Sequence, residues 1–242
     1  MIKIRASSLG LIMADAKSID DQFLTPEIAT ISRKTKKSDD EKKLINDLLG
    51  KSLSAGAKAF LDGIGKEYSY SFHEVISGKY MDKGIIVEDQ SIELYNSVFF
   101  TDYVKNTERK TNDWLTGECD IFVPGKKIID IKSSWSLPTF PSVARQGRDK
   151  LYEWQGRAYM MLWDVDLFDI AYCMVNTPDE LIKYEQEELH YVDHISESMR
   201  VTIVPYERDK SLEEKIKIKV EAAQEYLGNL VAEISVEHRY AA

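Results

Sequence analysis

Apolar positions recur at helical spacing through the first third of the chain. Residues 44–63 carry such a pattern, which predicts a helix ending at Gly63, because glycine commonly terminates helices. The preceding residues 32–43 mix acidic and basic side chains, and they predict a solvated helix start or loop rather than a basic arm that touches phosphate.

A further helix is predicted through residues 81–100, beginning near Asp82. Positions i, i+3, i+7 and i+10 lie on one helix face, and here they are Ile85, Glu88, Ile92 and Tyr95. Glu88 therefore interrupts an apolar stripe. It is a carboxylate at the edge of the stripe, a carboxylate paired with a core arginine, or a functional group.

The middle of the chain changes to strand patterns. Residues 114–123 and 126–134 predict two strands joined by a Pro-Gly turn, and residues 148–163 predict a helix. The apolar stripe of that helix again contains one polar member; its positions are Leu151, Gln155, Ala158, Tyr159 and Leu162. Strands at 168–176 and 199–206 and a helix at 211–234 complete an α/β (α+β) pattern of a mixed sheet flanked by helices.

Composition narrows the class of protein. We expect one domain over residues 1–242, with a mainly helical part (1–80), a core (81–176) and a C-terminal strand and helix (177–242). No apolar run resembles a signal peptide or a membrane span, which predicts a cytoplasmic protein that binds no membrane. The formal charge of −9 argues against a protein that coats nucleic acid by charge alone. Two cysteines are too few for a disulfide framework, a four-cysteine zinc site or an iron–sulfur cluster.

The two strands around the Pro-Gly turn place like charges together. Asp130 and Lys132 point to the same face, because side chains alternate along a strand. If Val123 lies opposite Lys127, Asp120 lies opposite Asp130 with Cβ atoms about 5 Å apart, where like charges destabilise a sheet. A divalent metal ion would offset that repulsion. A surface hairpin with solvated charges has the same pattern, so both interpretations stay open on spacing alone.

Four motifs in order resemble the PD-(D/E)-XK nuclease superfamily, in its RecB-like and lambda-exonuclease-like branch with a Gln-x-x-x-Tyr motif. They are Gly84 to Glu88, Gly117 to Asp120, Asp130 to Lys132, and Gln155 to Tyr159. The match spans about residues 80 to 176. Cys119 stands where the name motif has proline, and the second acid is Asp rather than Glu.

The resemblance implies a restriction-endonuclease-like core and roles for these residues. Glu88, Asp120, Asp130 and the main-chain carbonyl of Ile131 would hold one or two Mg²⁺ or Mn²⁺ ions. Lys132 would position the attacking water. Gln155 and Tyr159 would orient the lysine, the water or a phosphate.

DNA contacts are expected at two places. Arg5, Ser7 and Ser8 stand where lambda-type exonucleases hold a 5′-phosphate, although they also fit a helix N-cap and its approach. Arg145 and Arg148 lie in the densest basic stretch near the motifs and are expected to contact phosphate, unless they are solvated helix charges.

The expected activity is metal-dependent exonuclease action on double-stranded DNA ends, in phage-type recombination or repair. The resemblance implies DNA as partner, a ring-shaped homotrimer and a single-strand annealing protein as a second partner. An endonuclease or single-strand nuclease of the same fold, and a catalytically idle DNA-binding protein, are the alternatives. We expect Asp120→Ala and Lys132→Ala each to abolish cleavage while the fold persists or gains stability.

Overall fold

The computed structural model describes residues 2–74 and 77–239. Backbone contacts divide them into two compact units, one of residues 2–74, 111–116 and 209–239, the other of residues 77–110 and 117–208. Within these described ranges no helix combines the length and apolarity needed to cross a membrane.

The first unit is mainly helical. Its helices are α1 (Leu9–Ile12), α2 (Pro26–Arg33), α3 (Asp39–Lys51), α4 (Ala55–Tyr70) and, later in sequence, α9 (Lys210–Arg239). A small sheet of order β1-β3-β2 accompanies them; its strands are β1 (Ile4–Arg5), β2 (Lys110–Thr111) and β3 (Leu115–Gly117). Helices α4 and α9 pack together around buried Leu61 and Leu227.

The helix predicted over residues 44–63 is wrong in its bounds. The chain forms α3 and α4 instead, because the Ser54 side chain accepts the Ala57 N–H and begins a second helix. Gly63 therefore lies inside α4 and does not cap a helix. The solvated helix start predicted at 32–43 is confirmed, since Ser38 and Glu41 form a capping box at the beginning of α3.

The second unit carries a four-stranded sheet of order β4-β5-β6-β7. Its strands are β4 (Ile121–Val123), β5 (Lys127–Ser133), β6 (Leu167–Cys173) and β7 (Val201–Glu207). Its helices are α5 (Lys79–Ile86), α6 (Glu88–Phe99), α7 (Lys150–Trp163) and α8 (Asp179–Ile182). Strands β5 and β6 are parallel and joined through α7, whereas β4 and β7 are antiparallel to their neighbours. The expected mixed α/β fold is confirmed.

The helix predicted from Asp82 through residue 100 is two helices. Helix α5 begins at Lys79, and the helix is interrupted at Val87. The Val87 backbone is not helical, and its side chain is buried. The break removes Ile85 from the predicted face, and its side chain is 69% exposed. Ile92 and Tyr95 of α6 remain buried.

The single strand predicted over residues 114–123 is divided between the two sheets. Strand β3 pairs with β1, and β4 pairs with β5. Cys119 and Asp120 lie in the bend between them, so Cys119 is buried but is not a strand residue. Cys173 is buried in β6.

Asp149 caps the start of helix α7, because its carboxylate accepts the N–H groups of Leu151 and Tyr152. Leu151 is exposed, so the face predicted from the apolar stripe is rotated. Gly156 allows the close approach of α7 to β6, because a Cβ there would lie 2.0 Å from Cε1 of Phe168. The helix therefore presents its buried polar groups directly to the sheet.

Candidate active site

The β4–β5 hairpin brings the two central carboxylates together. Its register pairs Val123 with Lys127 and Ile121 with Ile129, as the Pro-Gly turn predicts. Asp120 lies one residue before β4 and points to the middle of β5, where its Oδ2 accepts the Ile131 N–H at 2.6 Å. Asp130 lies in β5 with its side chain 1% exposed.

The electrostatics of the pair follow from this burial. Desolvation and the Asp130 charge raise the pKa of Asp120 to about 7, and Lys132 only partly opposes them. Burial lowers the pKa of Lys132, but attraction to Asp130 and Asp120 outweighs burial and holds that pKa above its usual value. Lys132 is therefore a charged ammonium at neutral pH.

Asp130 holds a buried acceptor that is only partly satisfied. Its Oδ1 accepts the side-chain amide of Gln155 at 3.2 Å. Its Oδ2 lies 2.5 Å from Lys132 Nζ as an ion pair, yet no hydrogen bond of good geometry reaches it. A buried carboxylate oxygen without a well-formed hydrogen bond is a candidate ligand for a further cation.

One face of α7 covers this pair of acids. Gln155 donates to Tyr159 Oη at 3.0 Å, and Tyr159 donates to the main-chain carbonyl of Glu118 at 2.9 Å. Both side chains are buried. The interaction orients Gln155 towards Asp130 and ties α7 to the bend that carries Asp120.

Tyr152 extends the same face and was missed by the sequence analysis. The Lys132 Nζ lies 4.9 Å from the centre of the Tyr152 ring, within reach of a cation–π contact. Tyr152 precedes Gln155 by three residues, so helical spacing alone was a sufficient signal to include it.

Glu88 begins α6 and reaches the same region. Its charge contributes to raising the pKa of Asp120, after burial and the Asp130 charge. Its carboxylate is paired with Lys105, a residue that the sequence analysis also missed. Attraction to Glu88 raises the pKa of Lys105 although burial opposes it. Lys105 lies outside every motif, so no signal in the sequence pointed to it.

The residues expected to contact DNA lie in different units. Arg5 belongs to the first unit and contacts the His73 ring at 2.9 Å. Arg5 and Ser8 stand at the N-cap positions of the turn Ala6–Ser8 and of α1, as the N-cap alternative predicts, but neither side chain makes a cap hydrogen bond, and Ser7 is exposed. Arg145 and Arg148 belong to the second unit and are exposed, with Arg148 lying 5.5 Å from the ring centre of Tyr206.

The donor set fits a hard divalent cation of the magnesium kind. Among the described residues, no three His, Cys, Asp or Glu side chains lie close enough together to hold a metal ion on their own. Mg²⁺ needs fewer, because it commonly takes one or two carboxylates together with waters and substrate phosphate oxygens. Asp120 and Asp130 supply two such groups, and the partly satisfied Asp130 Oδ2 is the observation that favours an ion beside them.

The structure also corrects an expectation about Lys132. The fold of the Lys132→Ala variant was expected to persist or to gain stability through relief of repulsion between like charges. Lys132 is instead the cation that compensates two crowded carboxylates, so its removal leaves Asp130 buried without a counter-charge. Loss of stability is the expected result.

Solved exonuclease structures are similar to this chain. No protein-family model matches the chain, and no curated protein matches it. The crystal structure of a phage-related exonuclease from Haemophilus somnus 129PT is similar, with 31% sequence identity, a TM-score of 0.79 and coverage of 96% of each chain. The alkaline exonuclease LHK-Exo from Laribacter hongkongensis shares the fold, with 14% identity, a TM-score of 0.63 and coverage of 99% of this chain and 95% of that one.

The likeness to the Haemophilus protein extends over nearly the whole of both chains. On this identity and coverage, the chain belongs to the family of phage-related exonucleases.

Proposed function

We propose that this exonuclease is metal-dependent and hydrolyses phosphodiester bonds from the ends of double-stranded DNA, with the PD-(D/E)-XK and Gln-x-x-x-Tyr residues as its site. The observation that carries the proposal is the buried Asp130 carboxylate. One of its oxygens is fixed by Gln155, and the other lies beside Lys132 with no well-formed hydrogen bond.

Asp120 and Asp130 would hold the ion, with Glu88 and the Ile131 carbonyl as further oxygen donors. A bound Mg²⁺ or Mn²⁺ would supply the positive charge that polarises a phosphate and acidifies a water. The ion would also offset the burial and the Asp130 charge that together raise the pKa of Asp120 to about 7, so that Asp120 is charged at neutral pH.

Lys132 would orient the attacking water and the phosphate by donating hydrogen bonds. Its ammonium is kept protonated by the two acids and is placed by the Tyr152 ring. Gln155 and Tyr159 would keep Asp130 in its rotamer through the chain of hydrogen bonds that ends at Glu118. Such supporting hydrogen bonds typically change metal affinity or activity by about 10- to 100-fold.

A deoxynucleotide substrate is supported by a solved neighbour. LHK-Exo has been crystallised in complex with dAMP, and this chain shares its fold with 16% identity and a TM-score of 0.62. In the present chain, Arg145 and Arg148 would contact the DNA backbone, and Arg5, Ser7 and Ser8 would hold a terminal phosphate. A role in phage-type recombination or repair, a ring-shaped homotrimer and a single-strand annealing partner belong to the same proposal.

Digestion of three substrates tests the proposal. Linear duplex labelled at its ends, the same DNA as a closed circle, and linear single strands are incubated with protein in Mg²⁺, in Mn²⁺ and in EDTA. We expect release of mononucleotides from linear duplex in either metal, no release in EDTA and an intact closed circle. Cleavage of the circle would identify an endonuclease, and cleavage in EDTA would contradict metal dependence.

A further inference from the structure

Lys105 lies at the rim of the acidic site. Its Nζ donates to Oε2 of Glu88, and the two side chains are 45% and 20% exposed. The charges of Asp120 and Asp89 attract the same ammonium. The Lys105 ammonium therefore lies in the negative field where a divalent ion is expected to bind.

The neighbouring residue holds Lys105 at this position. The Asn106 N–H donates to the carbonyl of Asp120 at 2.7 Å, and the Asn106 side-chain amide donates to the carbonyl of Cys119 at 3.1 Å. Residues 101–109 form neither helix nor strand. The backbone is thus attached to the bend that carries Asp120, while the long lysine side chain can change rotamer without moving that backbone.

Glu88 cannot serve both cations equally well. A divalent ion bound to the Glu88 carboxylate weakens the attraction of that carboxylate for the Lys105 ammonium. The ion also repels the ammonium directly. Because its backbone stays attached to the hairpin, the released ammonium remains beside the site. A net charge of −9 gives the protein no overall attraction for a polyanion, so a lysine placed beside the site is well suited to bind a phosphate.

We propose that Lys105 is a phosphate-binding residue that Glu88 keeps paired in the metal-free protein and that turns to the DNA backbone when a divalent ion takes Glu88. This inference rests on the proposed metal-dependent action on DNA. It assigns Lys105 two linked effects, competition with the metal before DNA binds and a contact with phosphate afterwards.

The variant Lys105→Met separates these effects. Titration of Mn²⁺ into DNA-free protein by calorimetry is expected to show affinity for the ion increased by about threefold to tenfold, because a competing ammonium is gone. Binding of a duplex with nuclease-resistant terminal linkages, measured in Mn²⁺, is expected to weaken by about threefold to tenfold. The slope of log K against log salt concentration is expected to decrease by about 1.

Lys34→Met is the matched control. Lys34 pairs with Glu41 in the first unit, and the two side chains are 45% and 22% exposed, close to the values for Lys105 and Glu88. We expect it to change neither Mn²⁺ affinity nor DNA affinity. Circular dichroism of both variants checks that each is folded.

Two results would overturn the inference. Unchanged Mn²⁺ affinity in Lys105→Met would show that the lysine does not compete with the ion. Unchanged DNA affinity and salt slope would show that Lys105 is only a counter-ion of Glu88. Wild-type protein that neither bound Mn²⁺ nor cleaved DNA would instead contradict the proposed function itself, and the inference with it.

Discussion

Asp120 and Asp130 carry the central electrostatic feature of the molecule, two carboxylates held close together in the second unit. Substitution Asp120→Asn keeps an oxygen that can accept the Ile131 N–H but removes one negative charge. We expect cleavage to fall to background while the free energy of unfolding, measured with urea at neutral pH in chelator, is unchanged or higher. Exposed Asp47→Asn, in the middle of α3, is the control and should change neither quantity. Near wild-type cleavage by Asp120→Asn would contradict the assignment of Asp120.

Removal of the Lys132 ammonium should lower the stability of the fold, in contrast to removal of the Asp120 charge. Lys132→Met is expected to abolish cleavage and to lower the free energy of unfolding by about 3 kcal/mol in chelator, because removing one partner leaves a buried charge unpaired. The control Lys42→Met removes an exposed pair with Asp39, which is worth at most about 1 kcal/mol. Equal stability losses in the two variants would show that the Lys132 ammonium does not compensate the acids.

At the scale of single elements, the close packing of α7 on β6 determines the distance between the Gln155 side chain and the Asp130 carboxylate. A Cβ at Gly156 would lie 2.0 Å from Phe168, whereas a Cβ at Gly63 in α4 would meet no atom within 4 Å. Gly156→Ala should therefore lower the free energy of unfolding by about 1–3 kcal/mol and reduce cleavage. Gly63→Ala should raise stability by about 0.5–1 kcal/mol, the usual gain in a helix interior. Stabilisation by Gly156→Ala would show that α7 is not closely packed.

Helix α5 is attached to the ends of two parallel strands through one buried lysine. Lys83 Nζ donates to the carbonyls of Ser134, Trp135 and Val175 at 2.6, 3.1 and 2.9 Å, residues that follow β5 and β6. Three donors meet three acceptors, which supports the charged form, while burial lowers the pKa of Lys83 from 10.5 to about 8.

This lowered pKa predicts a specific dependence of stability on pH. Between pH 8 and 10.5 the unfolded chain binds a proton at Lys83 that the folded chain does not, so the free energy of unfolding should rise with pH in that window. Urea unfolding of wild type and Lys83→Met at pH 7.5 and pH 10 isolates the contribution of Lys83. The folded and unfolded chains differ there by at most about one bound proton per molecule. The difference in favour of wild type should grow with pH; a constant or shrinking difference would contradict the lowered pKa.

At the scale of the whole molecule, local patterns predicted the mixed sheet and the hairpin register, because alternation and a Pro-Gly turn determine both. They failed where a distant partner decides the local structure. Strand β3 separates from β4 because β1 pairs with it, and Val87 breaks a helix in order to be buried in the core against β5 and β6. Lys105 has no periodic or motif context, so only the folded chain brings it to Glu88.

The central claim is that Asp120 and Asp130 share a divalent cation. Anomalous diffraction from crystals grown in Mn²⁺ tests it most directly, because manganese scatters anomalously and the protein atoms hardly do. We expect a peak bonded to oxygens of both Asp120 and Asp130 in wild type and no peak there in Asp120→Asn. An active wild-type protein whose manganese lies elsewhere, with Asp130 Oδ2 still contacted only by Lys132, would contradict the account.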